Sequence, residues 1–202
     1  QIITTLLLES LKSSNSYSFQ PIKALSIITS WMGEISRPLF NSSSKSTKAQ
    51  ILECYFEARE DISFICPDLK VSPNTAIEQI ENLIKSYKSN VALIGSSLGG
   101  LYATYASERF NLKSVVINPV VTSHLNEMSG LVGQHTNFHT GEKYFFSNKN
   151  FTELKKLALN NLRHPLNHLC LIKLGDEVLD HKKTLKYFSN SLVITENQGN
   201  HS

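Results

Sequence analysis

Between residues 91 and 110 an apolar run, Val91–Ile94, passes straight into Gly95-Ser96-Ser97-Leu98-Gly99-Gly100 and then into a helical segment, Leu101–Phe110. No other feature constrains the fold as much. A buried strand that turns into a helix within a few residues needs small side chains where the two elements crowd each other. The flanking segments repeat the alternation. Ile62–Cys66 is a β-prone run stopped by Pro67-Asp68. Asn74 is placed to cap a helix on which Ile77, Ile80, Leu83, Ile84 and Tyr87 fall at helical spacing. Ser114–Asn118 reads as a third strand ending at Pro119. A helix at about 151–162, a strand at Cys170–Leu174, a helix near 180–188 and a strand at Leu192–Thr195 follow. This order predicts an α/β fold with a mostly parallel sheet, right-handed crossovers and helices on both faces.

The remaining stretches are less patterned. Residues 1–37 hold short apolar runs, Ile2–Leu8 and Ile22–Ile28, split by the polar Ser13–Ser18, and no element is assigned to them. Asn41–Ser46 reads as a loop leading into a helix from about Lys48 to Ala58. Residues 120–150 have no strong period and occupy the place of a lid or cap. The expectation is a poorly defined segment over 1–37 and one domain over 38–202 that lacks a closing helix. The chain opens on Gln1 and stops at His201-Ser202, so a fragment or a gene product with an uncertain start is expected.

Composition narrows the function. With 202 residues, 41% of them hydrophobic, and a net charge of +3, the chain can bury a full core and is not generally disordered. The Ile2–Leu8 run lacks a basic leader and is broken by Glu9, which argues against a signal peptide. No window resembles a membrane span, and mean hydropathy is −0.16. Scattered Lys and Arg with a pI near 8.7 give no footprint for nucleic acid. The three cysteines, Cys54, Cys66 and Cys170, read as buried free thiols rather than a disulfide framework.

Gly95-Ser96-Ser97-Leu98-Gly99 matches G-x-S-x-G. In a strand-to-helix turn the central Ser97 would project at the C-terminal edge of the sheet, where the helix N-terminus favours a developing oxyanion. The plainer alternative is a small-residue turn that permits a tight connection or binds phosphate. A P-loop is excluded because no Gly-Lys-Ser/Thr follows. A nucleophilic serine needs a base and an orienting carboxylate, here in the chain order Ser, Asp/Glu, His. Asp176 lies just past the end of the Cys170–Leu174 strand. Its competitors are Glu177, expected in solvent, and Asp180, expected to cap the next helix. His201, in the polar run Asn197-Gln198-Gly199-Asn200-His201 after the last strand, falls at the same edge and suits a general base. The pairs His135/His139 and His164/His168 have H-x-x-x-H spacing. Gly133 near the first, Pro165 within the second and the missing Glu of H-E-x-x-H argue against zinc, and no metal is expected.

The segments LIGSSLGGLYATYASERFNLKSVVINPVV, LGDEVLD and QGNHS together resemble the YqiA/YcfP-like esterases, small bacterial α/β-hydrolases. FNSSSKSTKAQ, CPDL and TGEKYFF fit in order and spacing, so the resemblance runs from Phe40 to His201. It implies an α/β-hydrolase domain, no cofactor, a cytoplasmic location and a small-molecule acyl ester or thioester as substrate. It also implies Ser97 as nucleophile, Asp176 as acid and His201 as base. The oxyanion hole would take the backbone N–H groups of Leu98 and Phe40. This chain has Pro38-Leu39-Phe40 where the family has His-Gly-Phe. Loss of one oxyanion donor would cost roughly 3–4 kcal/mol, or 100- to 1,000-fold in rate.

The leading expectation is a serine hydrolase acting on short-chain acyl esters. A thioesterase or acyltransferase with the same triad, and a catalytically impaired binding protein, are the alternatives. Phe138, Tyr144, Phe145 and Phe146 are candidates to line an acyl pocket, against ordinary core or lid packing.

Overall fold

Strand-forming segments meet in parallel in the computed structural model, which describes residues 22–28, 47–59, 62–87, 91–136 and 143–197, with 22–28 and Thr47 followed by backbone alone. In chain order the main elements are β1 (Ile22–Ile28), α1 (Thr47–Glu57), β2 (Ile62–Ile65), α2 (Pro73–Ser86), β3 (Val91–Ser96), α3 (Leu98–Phe110) and β4 (Lys113–Ile117). A short helix α4 (Thr122–Leu125) and the antiparallel hairpin β5 (Gly133–Thr136) and β6 (Lys143–Phe146) follow. The chain continues through α5 (Asn148–Leu157), β7 (His168–Lys173), α6 (His181–Tyr187) and β8 (Leu192–Glu196). Among the described residues the main sheet has the order β2-β1-β3-β4-β7-β8, and every pairing in it is parallel.

The main departure from the sequence reading is β1. The sequence marks no element within 1–37, yet Ile22–Ile28 enters the sheet between β2 and β3, pairing Lys23 with Val91 and Ile28 with Ser96. Its sequence, IKALSII, does not alternate cleanly, as strands of parallel sheets in general need not. A short apolar run of that kind cannot be told from a loop or a helix by period.

Alternation along the strands sorts the core into two layers. Leu93, Val116, Cys170 and Ile172 face one side with α2, α3 and α5. Ala92, Ile94, Val115, Leu169 and Leu171 face the other, against Ala49, Leu52 and Phe56 of α1. Helices on both faces are as expected for the α/β-hydrolase-like sheet.

Smaller differences have local causes. Asn74 does not cap α2. Pro73 takes the first helical position, which needs no N–H donor, so Ser72 becomes the N-cap. The Ser72 hydroxyl donates to Glu153 Oε2 (3.0 Å) on α5, and the Asn74 N–H reaches the same oxygen (3.4 Å). Asp180 does cap α6, accepting from the Lys182 N–H (3.0 Å). Cys170 is buried, but Cys66 is half-buried and Cys54 exposed. No helix of the described residues is long and apolar enough to cross a membrane.

Candidate active site

The turn between β3 and α3 is built around two close approaches. A Cβ added to Gly95 would strike the Gly99 carbonyl oxygen and come within 2.7 Å of Ala103 Cβ, and one added to Gly100 would lie 2.6 Å from Pro119 Cβ. Only glycine lets α3 leave the sheet so steeply at these points. Between them Ser97 has φ 55° and ψ −122°, a backbone conformation that costs a non-glycine residue about 1–3 kcal/mol. Three backbone hydrogen bonds hold it there. The Ser97 N–H donates to Ile117 O (3.0 Å), and its carbonyl accepts from Gly100 N (3.0 Å) and Val120 N (2.9 Å). Ser97 is only 1% exposed. Leu98 is the first residue of α3, so its N–H is among those that a helix cannot satisfy internally.

The parallel sheet brings Asp176 to the same edge. Asp176 follows the end of β7, and its N–H donates to Lys173 O (3.2 Å). Its Oδ1 accepts from the N–H groups of Val178 and Leu179, both at 2.8 Å, which fixes the carboxylate in a tight turn. Glu177 is exposed and Asp180 is engaged in capping α6, the arrangement anticipated for the two competitors. β8 pairs with β7 as far as Glu196 opposite Lys173, so the chain leaves β8 beside the Asp176 turn. β1 likewise ends at Ile28 opposite Ser96. His201 and Phe40 themselves lie outside the described residues.

The buried histidines of the described region are engaged elsewhere. His124 Nδ1 accepts from the Val121 N–H (3.2 Å) and its Nε2 donates to Asp180 O (3.0 Å), tying α4 to the start of α6. Burial lowers its pKa, against the raising effect of the Asp180 carbonyl, so the ring stays neutral. His168 Nδ1 accepts from Ser114 Oγ (2.7 Å) and its Nε2 donates to Glu108 Oε1 (2.9 Å) at the far end of β7. His164 stands before a 3₁₀ turn and His168 in a strand, so that pair does not share a helical face. His139, partner of His135, lies outside the described residues. No group of three His, Cys, Asp or Glu able to hold a metal occurs among the described residues.

The aromatic candidates for an acyl pocket diverge. Phe146 is wholly buried in the core, whereas Phe145 is 64% exposed. Tyr144 packs on His135 within the hairpin, and Phe138 lies outside the described residues.

Two further residues at this edge are not among the candidates that the sequence marks. Asn118, only 3% exposed, adopts φ 41° just after β4. Its Oδ1 accepts from the Lys173 N–H (2.8 Å) and bridges β4 to β7 where the ladder between them ends, while its buried Nδ2 has no hydrogen-bond partner among the described residues. Lys48, in the first turn of α1, donates from Nζ to Ser96 Oγ (3.2 Å). Only Pro119 hinted at the first, as the stop of a strand. Lys48 could be placed only once α1 had been packed on the sheet.

Comparison with known proteins bears on the fold and the family. The family model described as "Uncharacterised protein family (UPF0227)" matches residues 39–202. Among solved structures, alpha/beta hydrolase domain-containing protein 10 from mouse has a TM-score of 0.64 at 16% identity, covering 89% of this chain and 81% of that one. Est1E from Butyrivibrio proteoclasticus, with ferulic acid bound, gives 0.65 at 10% identity, over 93% and 84%. The Paleococcus ferrophilus monoacylglycerol lipase gives 0.60 at 11%, over 91% and 88%. At these identities the structures establish the fold, that of the α/β-hydrolases. The chain belongs to the UPF0227 family, the YqiA/YcfP group that its sequence resembles.

Proposed function

We propose that this UPF0227 member is a serine hydrolase that cleaves short-chain acyl esters through a covalent acyl-enzyme. The observation that carries the reading is the strained Ser97, locked at φ 55° on a sheet edge where the Asp176 turn also ends. Backbone strain of this kind persists only where the surroundings enforce it, and here two glycines and three backbone hydrogen bonds do so. The esterase and the lipase among the structures sharing the fold support the same class of chemistry.

In this reading Ser97 Oγ attacks the ester carbonyl carbon while its proton passes to His201. The carbonyl electrons move to oxygen, and the resulting charge is met by the N–H groups of Leu98 and Phe40. Asp176 holds the imidazole in the tautomer that can accept the proton and steadies the imidazolium. His201 then protonates the departing alkoxide. Water, deprotonated by the same imidazole, releases the acid and restores Ser97.

Purified Ser97→Ala should fold normally and lose p-nitrophenyl butyrate hydrolysis by about 10⁴-fold or more. Unchanged turnover would refute the assignment. The Pro38-Leu39 replacement of His-Gly favours one second reading, a binding protein that keeps the triad as a remnant. A fluorophosphonate probe separates the two: covalent labelling at Ser97 supports the enzyme, whereas a folded but unlabelled chain supports the binder.

A further inference from the structure

Lys48 lies in the FNSSSKSTKAQ segment, and no step of the reaction above uses it. Its helix, α1, packs on the sheet face made by Ala92, Ile94, Val115, Leu169 and Leu171. Alternation carries that face up to Ser96 on β3 and Lys173 on β7, the last residues before the catalytic edge. There the half-buried Lys48 ammonium donates to the hydroxyl of the wholly buried Ser96, the immediate neighbour of Ser97, and feels the charges of Lys173 and Asp176.

This is a costly place for a compact, strongly hydrated cation. Burial first, and repulsion by Lys173 second, lower its pKa to about 8, with attraction by Asp176 opposing. A tie between helix and strand needs no charge, since a neutral donor would hold the Ser96 hydroxyl as well. A positive charge beside a turn where negative charge develops in the transition state has a use that a neutral donor lacks.

Resting on the serine-hydrolase reading, we propose that Lys48 is a positioning residue for the reaction, gripping Ser96 to set the Ser97 turn and holding a positive charge against it. No proton passes through the ammonium, which below pH about 8 stays charged through the cycle. The part it acts through is the turn itself: Ser96 and Ser97 are consecutive, and Ser97 is already clasped from the β4 side by Ile117 and Val120. Lys48 supplies the grip from the α1 side.

The test compares the parent chain with Lys48→Met, Lys48→Arg and Ser97→Ala, reading p-nitrophenyl butyrate turnover, fluorophosphonate labelling and Tm between about pH 6 and about pH 10. Lys48→Met should lower kcat and the labelling rate about tenfold or more, with KM within about twofold of the parent. Its Tm at neutral pH should equal or exceed the parental value, because a charge held in a poorly solvated place has been removed. Lys48→Arg should recover most of the rate. The parent should lose rate above pH about 8, as Lys48 discharges, while the Arg variant should not. Among the described residues Lys173 and Asp176 are the charged groups that bear on Lys48, and both are present in all three of these chains.

Parental labelling by Lys48→Met would overturn the proposal. So would an equal loss of rate and Tm in both the Met and Arg variants, which marks a packing role. Should Lys48→Met not fold, identical pH profiles for the parent and Lys48→Arg would overturn it instead. An unlabelled parent, or a Ser97→Ala chain labelled as fast as the parent, would refute the serine-hydrolase reading and this proposal with it, and that outcome is read without any Lys48 variant.

Discussion

Ser97 shows what a single residue can be made to hold. Its left-handed backbone is a local cost, offset by hydrogen bonds from Gly100 and Val120 and to Ile117. Glycine adopts that conformation without penalty but loses more freedom on folding, so the two effects partly cancel. Ser97→Gly should therefore raise stability by about 1 kcal/mol in urea titrations while abolishing turnover. A substitution that lowered stability there would show that the turn is not strained. Ser97 itself was legible because G-x-S-x-G sits at a strand-to-helix junction. The backbone angle was not, since it depends on β4 arriving alongside to supply the Ile117 carbonyl.

At the scale of elements, α2 and α5 are joined by a carboxylate rather than by apolar contact alone. Glu153, 6% exposed, accepts from Ser72 and Asn74 at the start of α2, and Lys149 lies 4.0 Å from its other oxygen. The same charge, after burial, helps to hold the Tyr102 phenol well above its ordinary pKa. Replacing Glu153 with Leu leaves the Ser72 hydroxyl and an α2 N-terminal N–H without this acceptor. The change should cost about 1–3 kcal/mol, seen as a lower urea midpoint with an unchanged m-value. A neutral result would mean that water replaces the carboxylate fully. Asn74 was expected to cap α2 because its side-chain chemistry suits the role. The cap moves to Ser72 because Pro73 suits the first helical position, and the acceptor comes from a helix 81 residues away, which no local pattern encodes.

Across the whole molecule, stability should decline toward acid. Burial lowers the pKa of His168 despite its Glu108 partner, so the folded state resists protonation while the unfolded chain binds a proton below about pH 6.5. Glu108 is held below the usual carboxylate range: burial pushes it up, but the hydrogen bond from His168 and those from the Arg163 and His164 N–H groups outweigh that. With more protons on the unfolded state in both cases, stability rises with pH, and the signs agree. Tm should fall as pH drops from about 6.5, and further as Glu108 is protonated at lower pH. His168→Gln should flatten the upper part of that decline. A Tm independent of pH between about 7 and about 5 would refute the assignment of neutral His168.

The sequence by itself determined the parallel α/β order of residues 62–118 and 148–196, the G-x-S-x-G turn, and the carboxylate that follows β7, because each depends on local propensity or on spacing along the chain. Tertiary structure alone decided that Ile22–Ile28 is an inner strand of the sheet, that Phe146 joins the core while Phe145 does not, and that Lys48 meets Ser96. Those outcomes depend on what lies on either side of a segment. A run with weak periodicity becomes a strand when two parallel neighbours satisfy its N–H and C=O groups. A lysine reaches the Ser97 turn only when its helix is laid across that edge of the sheet.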